Sequence, residues 1–354
     1  MFQKFEAFIT AVLQSRRQKN TILIVTLVAF VLSVLMIAPT EIVKAKMLPG
    51  KNNDTFTIYV DLPNGASIQQ TDAVSQCVTS FIQKEQEVLD TETFLGMGSP
   101  LDFAGLIKGS HFKNAENVSE IVVNLTKKHD RDEPSYLMVQ RMRPVIQKAC
   151  EPIVSGTNIK FVEPPAGPPT LAAVVAEIYG ANANGILHLA KHVAGVFRQT
   201  AGLVDIDVMA DELYDRFDLK VNSTKIARSG LSIKQVNDII YLAFEGMDIA
   251  VKNSETINEQ IPIFLTLSPE SKVFSRKDKL ALEQKLSGLR LMNSNGLLVP
   301  LTEVVDIIPT RANPMIMSKD LHQMVNVVAE TDMVSQVYPL LDARSVLMEK
   351  LSDE

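Results

Sequence analysis

Thr21–Ala38 reads TILIVTLVAFVLSVLMIA, an apolar run without a single Asp, Glu, Lys or Arg. A helix needs about 20 such residues to cross roughly 30 Å of hydrocarbon, where unpaired backbone groups are too costly for any open structure. Residues 16–39 are therefore expected to be a membrane-spanning helix. Arg16, Arg17 and Lys19 stand directly before the apolar run. Because basic residues are retained on the cytoplasmic side, the N-terminus is expected inside and everything after Pro39 outside. A cleaved signal peptide fits less well, since secretory apolar cores are usually about 7 to 15 residues long.

Upstream of the run, Phe2, Phe5, Phe8, Ile9, Val12 and Leu13 recur at helical spacing with Lys4, Glu6 and Gln14 between them. Residues 1–15 thus read as an amphipathic helix lying flat on the cytoplasmic face of the lipid bilayer. Downstream, the remaining ~315 residues suffice for two or three domains. Apolar residues make up 46% of the chain, which argues for globular structure. The net charge of −6, with both signs interspersed, leaves no electrostatic footprint for nucleic acid. Two cysteines, Cys77 and Cys150, are too few for a disulfide framework. Each falls in an apolar helical stripe, so buried thiols are expected, with a bridge left open.

After a polar stretch at 44–54, Thr55–Asp61 alternates as a half-buried strand. Ser67 and Gln70 are spaced as a capping box for a helix whose Ala73, Val74, Cys77, Val78, Phe81 and Ile82 share one face, ending near Leu89. Strands follow at Thr91–Met97 and, beyond a loop at 98–117, at Val118–Leu125. Pro134 opens a second helix that Pro144 should kink, and Asn158–Val162 is a fourth strand. The order βαββαβ is that of a ferredoxin-like split unit, assigned to residues 40–164.

Glu163–Thr170 (EPPAGPPT) holds four prolines and a glycine in eight residues and marks a boundary. A second such unit begins with a strand at Leu171–Tyr179, a helix at Gly185–Gln199 and a strand at Leu203–Val208. An insert at 211–306 interrupts it. The insert carries a strand at Phe217–Val221, a helix opened by Ser232, an extended hairpin between Ile249 and Leu267, and a short strand at Leu297–Pro300. The second unit, 165–210 and 307–354, resumes with a strand at Leu321–Ala329 and a helix at Val334–Leu351 interrupted at Pro339. It reads as incomplete, its last strand missing and one sheet edge unpaired. The fold class is α+β, with one N-terminal membrane helix.

These segments, in this order, resemble the second half of the inner-membrane subunit of a resistance-nodulation-division (RND) efflux pump of the acriflavine-resistance type. The phrases LPG at Leu48–Gly50, FAG at Phe103–Gly105, VEPPAGPP at Val162–Pro169 and RSGLSIKQVNDII at Arg228–Ile240 are similar to that family's. The resemblance implies proton-driven export by a homotrimer, with two porter subdomains forming the substrate path. It further implies that the insert docks on an outer-membrane channel with a periplasmic adaptor protein. Phe103, Ala104 and Gly105 match the family's substrate-path loop, and Leu101 and Val122 fall at pocket-wall positions where drug exporters often carry aromatic rings. Asn253, Ile257 and Ile261 belong to the expected docking hairpin. No cofactor or metal site and no enzymatic activity are implied.

A metal-exporting member is an alternative, since methionine thioethers suit soft cations. Met315, Met317, Met324 and Met333 cluster in sequence but read better as packing residues. His188 and His192 lie one helical turn apart without the HExxH glutamate, and read as surface residues. A signal-anchored periplasmic binding or scaffold protein built from the same units, or a lipid exporter of related architecture, would share the organisation but not the cargo.

Overall fold

The computed structural model describes residues 2–37, 40, 42–45, 50–100, 103–110, 113–164, 167–168, 170–210, 214–253, 260–272, 278–311, 315–332 and 335–351. Helix α1 (Phe2–Gln14) leads into α2 (Arg16–Ile37). Phe5, Ile9 and Leu13, one turn apart on α1, are all exposed. So are the apolar side chains of α2, none of which is buried. By length and composition this helix is long and apolar enough to cross a bilayer. At its C-terminal end the Tyr338 hydroxyl donates to the Ile37 carbonyl at 3.0 Å, and Ser335 Oγ donates to the Ala45 carbonyl at 2.8 Å. The span is thereby tied to the last helix of the chain.

The first repeat runs β1 (Thr55–Asp61), α3 (Ile68–Ile82), β2 (Val88–Met97), α4 (Phe103–Lys108), β3 (Asn114–Leu125), α5 (Ser135–Cys150) and β4 (Asn158–Val162). Its sheet has the order β2-β3-β1-β4 with every neighbouring pair antiparallel, the split arrangement expected. Alternation along the strands sorts the residues. Phe56, Ile58 and Val60 of β1 and Ile121 and Val123 of β3 are fully buried, as are Ile159 and, to within 1%, Phe161 of β4. They pack under Val74, Val78 and Ile82 of α3 and Met138, Met142 and Ile146 of α5. Each such side chain contributes roughly 1.5–3 kcal/mol by leaving water.

Several boundaries differ from expectation. Helix α3 stops at Ile82 rather than near Leu89, because the polar run after it turns the chain into a strand that begins at Val88. The Ser67–Gln70 capping box is formed as read. Helix α5 continues through Pro144 from Ser135 to Cys150. Cys77 and Cys150 are not thiols: they are bridged, with Cα atoms 5.8 Å apart, stapling α3 to α5. Both stripes point into one core, so two residues that each read as buried apolar groups meet there.

The second repeat comprises β5 (Val174–Tyr179), α6 (Ala183–Gln199) and β6 (Leu203–Met209), then, after the insert, β13 (Met317–Lys319), β14 (His322–Thr331) and α11 (Val337–Leu351). β14 is central: β5 pairs along one edge, while β13 and β6 follow one another along the other. Its core joins Val174, Ile178, Ala190, Val193, Phe197, Val327 and Ala329. Pro339 does not interrupt α11. It sits in the first turn, where its missing N–H would have had no helical partner. Val175 of β5, Phe197 of α6 and Leu340 and Leu347 of α11 line an apolar groove of about 440 Å³.

Residues 211–315 form a separate compact unit. It contains β7 (Asp215–Val221), α7 (Ser223–Ser229), α8 (Ile233–Phe244), β8 (Met247–Lys252), β9 (Ile261–Leu265), α9 (Pro269–Lys272), α10 (Lys279–Gly288), β10 (Arg290–Met292), β11 (Leu298–Pro300) and β12 (Val305–Arg311). β12 pairs with β7 throughout, so the unit extends past residue 306. β8 and β9 pair antiparallel as the two strands of a hairpin, and every residue of these two strands is exposed. Gly246 (φ +92°) turns the chain into it, in space where a Cβ would lie 2.3 Å from the Phe264 ring.

The staple carries a measurable load. Closing a 73-residue separation removes loop entropy equivalent to roughly 4 kcal/mol in the unfolded chain. Reduction, or a Cys77→Ser/Cys150→Ala double substitution, is expected to lower unfolding stability of the first repeat by about 2–4 kcal/mol, read by denaturant titration of the oxidised and reduced protein. Coincident curves would contradict the bridge.

Candidate functional site

The face of the first sheet turned away from α3 and α5 is polar where the other is apolar. Thr57, Tyr59 and Asp61 of β1, Glu120 and Val122 of β3, and Lys160 of β4 alternate onto it. Lys113 Nζ reaches Asp61 at 2.6 Å and lies 5.4 Å from the centre of the Tyr59 ring. Lys160 is held between Asp61 and Asp207 of β6, which carries the network into the second repeat. Burial pushes the Asp61 carboxyl up, but the Lys160 and Lys113 ammonium groups outweigh it and hold the pKa at about 2. The reverse holds for Lys160, whose burial penalty is outweighed by the two carboxylates, so that its pKa rises.

Helix α4 is mounted on this face. Glu120, 4% exposed, accepts from the Ser99 N–H at 3.0 Å and the Ser99 hydroxyl at 2.7 Å. On the other flank the Tyr59 hydroxyl donates to Ser110 Oγ at 3.1 Å. The two flanks meet at Gly98, where a Cβ would lie 2.4 Å from the Ser110 carbonyl oxygen. Only glycine permits that approach. Phe103, Ala104 and Gly105 form the first turn of α4, with Gly105 buried. Lys108, at its end, donates to Glu330 Oε1 at 2.7 Å and to the Leu171 carbonyl at 3.1 Å.

A second polar cluster seals the seam between β4 and β6. Asp205 accepts from Arg143 Nε at 3.1 Å, Gln147 Nε2 at 3.0 Å and the Phe161 N–H at 2.9 Å. It does so from a left-handed conformation, φ +52°, which costs a non-glycine residue about 1 kcal/mol or more. Nearby, burial raises the Glu163 carboxyl to about 7, against the pull of Arg143 and a hydrogen bond from Ser135 and with the push of Glu330.

The sequence-predicted residues divide accordingly. Val122 lies on the polar face, half-buried, opposite Thr57 and Glu92 and two residues from Glu120, while Phe103–Gly105 open helix α4. Leu101 and Ile257 lie outside the described residues. Asn253 and Ile261 flank the tip of the exposed hairpin of the inserted unit. His188 and His192 are exposed on α6, and Met324 is 6% exposed opposite Met317. Among the described residues no three His, Cys, Asp or Glu side chains are grouped to hold a metal. Sequence reasoning missed Lys108, Lys113, Glu120, Lys160, Asp205 and Glu330. Their only local signal is a charge placed within an otherwise apolar or alternating run.

A helix of membrane-spanning length is followed by two related βα repeats, the second interrupted by an inserted α/β unit. The chain belongs to the AcrB/AcrD/AcrF family, whose profile matches residues 1–351. This is a family of inner-membrane RND transporters rather than enzymes. The chain is 33% identical over 73 residues to the nickel and cobalt resistance protein CnrA of Cupriavidus metallidurans, covering 21% of this chain and 7% of that protein. It is 34% identical over 73 residues to the nickel-cobalt-cadmium resistance protein NccA of Alcaligenes xylosoxydans xylosoxydans, with the same coverage. Two crystal forms of a heavy metal efflux pump share the fold, with TM-scores of 0.65 and 0.64, 16% identity, and 98% of this chain matched. The chain spans 34% of that pump's length.

Asp61 and Glu163 make opposite contributions to pH dependence. Asp61, depressed from 3.8 to about 2, stabilises the fold above pH ~4 and loses that contribution as pH falls through 2. Glu163, raised from 4.5 to about 7, favours the fold below pH ~4.5 and loses that contribution as pH rises through 7. Asp61→Asn is expected to flatten the acid limb of a melting-temperature profile, and Glu163→Gln the limb between pH 5 and 8. Unchanged limbs would contradict the assignments.

Proposed function

We propose that this chain forms the porter and docking region of a proton-driven RND efflux transporter, and that its cargo is a divalent metal cation. The family match over residues 1–351 carries the transporter reading. The N-terminus lies in the cytoplasm and both repeats in the periplasm, a placement supported by Arg16, Arg17 and Lys19 before the span. The bridge between Cys77 and Cys150 supports it as well, since such bridges persist outside the reducing cytosol. Cargo passes over the polar face beneath α4. The exposed hairpin of the inserted unit contacts the envelope partners, a periplasmic adaptor and an outer-membrane channel, in a homotrimeric assembly.

The metal reading is favoured over drug export by two observations. The curated relatives are nickel, cobalt and cadmium resistance proteins. Val122 stands on the polar face, where a drug-binding wall would draw on large aromatic area.

The span from Thr21 to Ile37 has no ionisable side chain, so the groups that carry protons through the membrane must come from other helices of the transporter. Disrupting the gene in its host is expected to lower the tolerated nickel, cobalt or cadmium concentration several-fold, and the 354-residue chain alone is expected not to restore it. Loss of tolerance to organic drugs only would overturn the metal reading. Restoration by the chain alone would overturn the assignment of proton coupling to other helices.

A further inference from the structure

Helix α4 inverts the usual pattern of a surface helix. Leu106 and Ile107 are 41% and 42% exposed, while the side chain of Lys108, next in sequence, is only 12% exposed. A short helix selected for stability alone would bury the apolar pair and leave the ammonium group in water. Instead the ammonium group crosses to the second repeat, 222 residues away in sequence. It enters a prepared receptor. Glu330 sits at a bulge of β14, and a bulge re-aims the side chain that follows it. Its Oε1 takes Lys108 at 2.7 Å, while its Oε2 accepts the Ala173 N–H at 3.3 Å. The carbonyl of Leu171 supplies a second acceptor for Lys108 at 3.1 Å. Both arms of the receptor, the segment leading into β5 and the bulge of β14, belong to the second repeat.

The flanks of α4, by contrast, are fixed to the first repeat through Ser99–Glu120 and Tyr59–Ser110. The helix is therefore anchored to one repeat through the residues on both its flanks and to the other through Lys108 in its last turn. We propose that Lys108 is a positioning residue that latches α4 to the second repeat, so that displacement of one repeat against the other moves the exposed Leu106–Ile107 pair. The latch stands on the contacts alone; only its consequence for export rests on the proposed function.

Two measurements test it separately. In the full 354-residue chain in lipid nanodiscs, Lys108→Met and Glu330→Gln should each raise hydrogen exchange of the segment 103–110 about tenfold. Exchange in α3 and α5 should stay as in the unsubstituted chain. The double variant should exchange no faster than either single one, because the two residues act as a pair, and Lys108→Arg should restore protection. Unchanged exchange in the single variants, or loss of protection throughout the first repeat, would overturn the latch. In the complete transporter, Lys108→Met should reduce metal tolerance several-fold at unchanged expression while Lys108→Arg retains it. Faster exchange with full tolerance would leave the latch standing and remove its role in export.

Discussion

The period-2 alternation of β1, held between β3 and β4, is the constraint on which the rest depends. One set of side chains, Phe56, Ile58 and Val60, is fixed under the helices with complete burial. The other set, Thr57, Tyr59 and Asp61, is thereby fixed on the opposite face. A slip of one residue would exchange the two sets, placing Asp61 in the core and Ile58 in the polar network. Register and function are consequently one choice. The same pairing that builds the core positions Asp61 for Lys113 and Lys160 and aligns Glu120 with Ser99.

The polar face does not stand alone, because its charges are shared between the two repeats. Lys160 bridges β1 to β6, Arg143 and Gln147 hold Asp205, and Lys108 reaches Glu330. Buried pairs of this kind add little net stability over apolar contacts, but breaking one partner leaves an uncompensated charge. The seam therefore couples the two repeats through charge pairs. The tie from Tyr338 to Ile37 links the end of the membrane helix to the second of those repeats.

Much of the fold was legible because its signals are local. The apolar run at 21–38, the alternation of 55–61 and the capping serines Ser67 and Ser232 each identify an element from a few adjacent residues. The split order of the first repeat followed from them. Pairings across long separations were not legible: Cys77 with Cys150, Lys108 with Glu330, and Arg143 with Asp205 leave no periodic trace. The turn joining β13 and β14 was also missed. Asp320 and Leu321 both take positive φ there, without the Asn-Gly or Asp-Gly signal that usually announces such a hairpin. Phe103, Ala104, Gly105 and Val122 were reached through family resemblance, while the residues that mount them on the sheet emerged only from the three-dimensional contacts.

The central claim is that cargo passes over the polar face of the first repeat. Both cysteines of the chain are bridged, so Val122→Cys introduces a unique thiol on that face. The decisive measurement is the rate of metal export by the complete transporter bearing this substitution, in proteoliposomes, before and after modification with a bulky thiol reagent. The account predicts that export stops on modification and that the metal cargo slows the modification itself. A fully modified transporter that still exports metal at its original rate would contradict it.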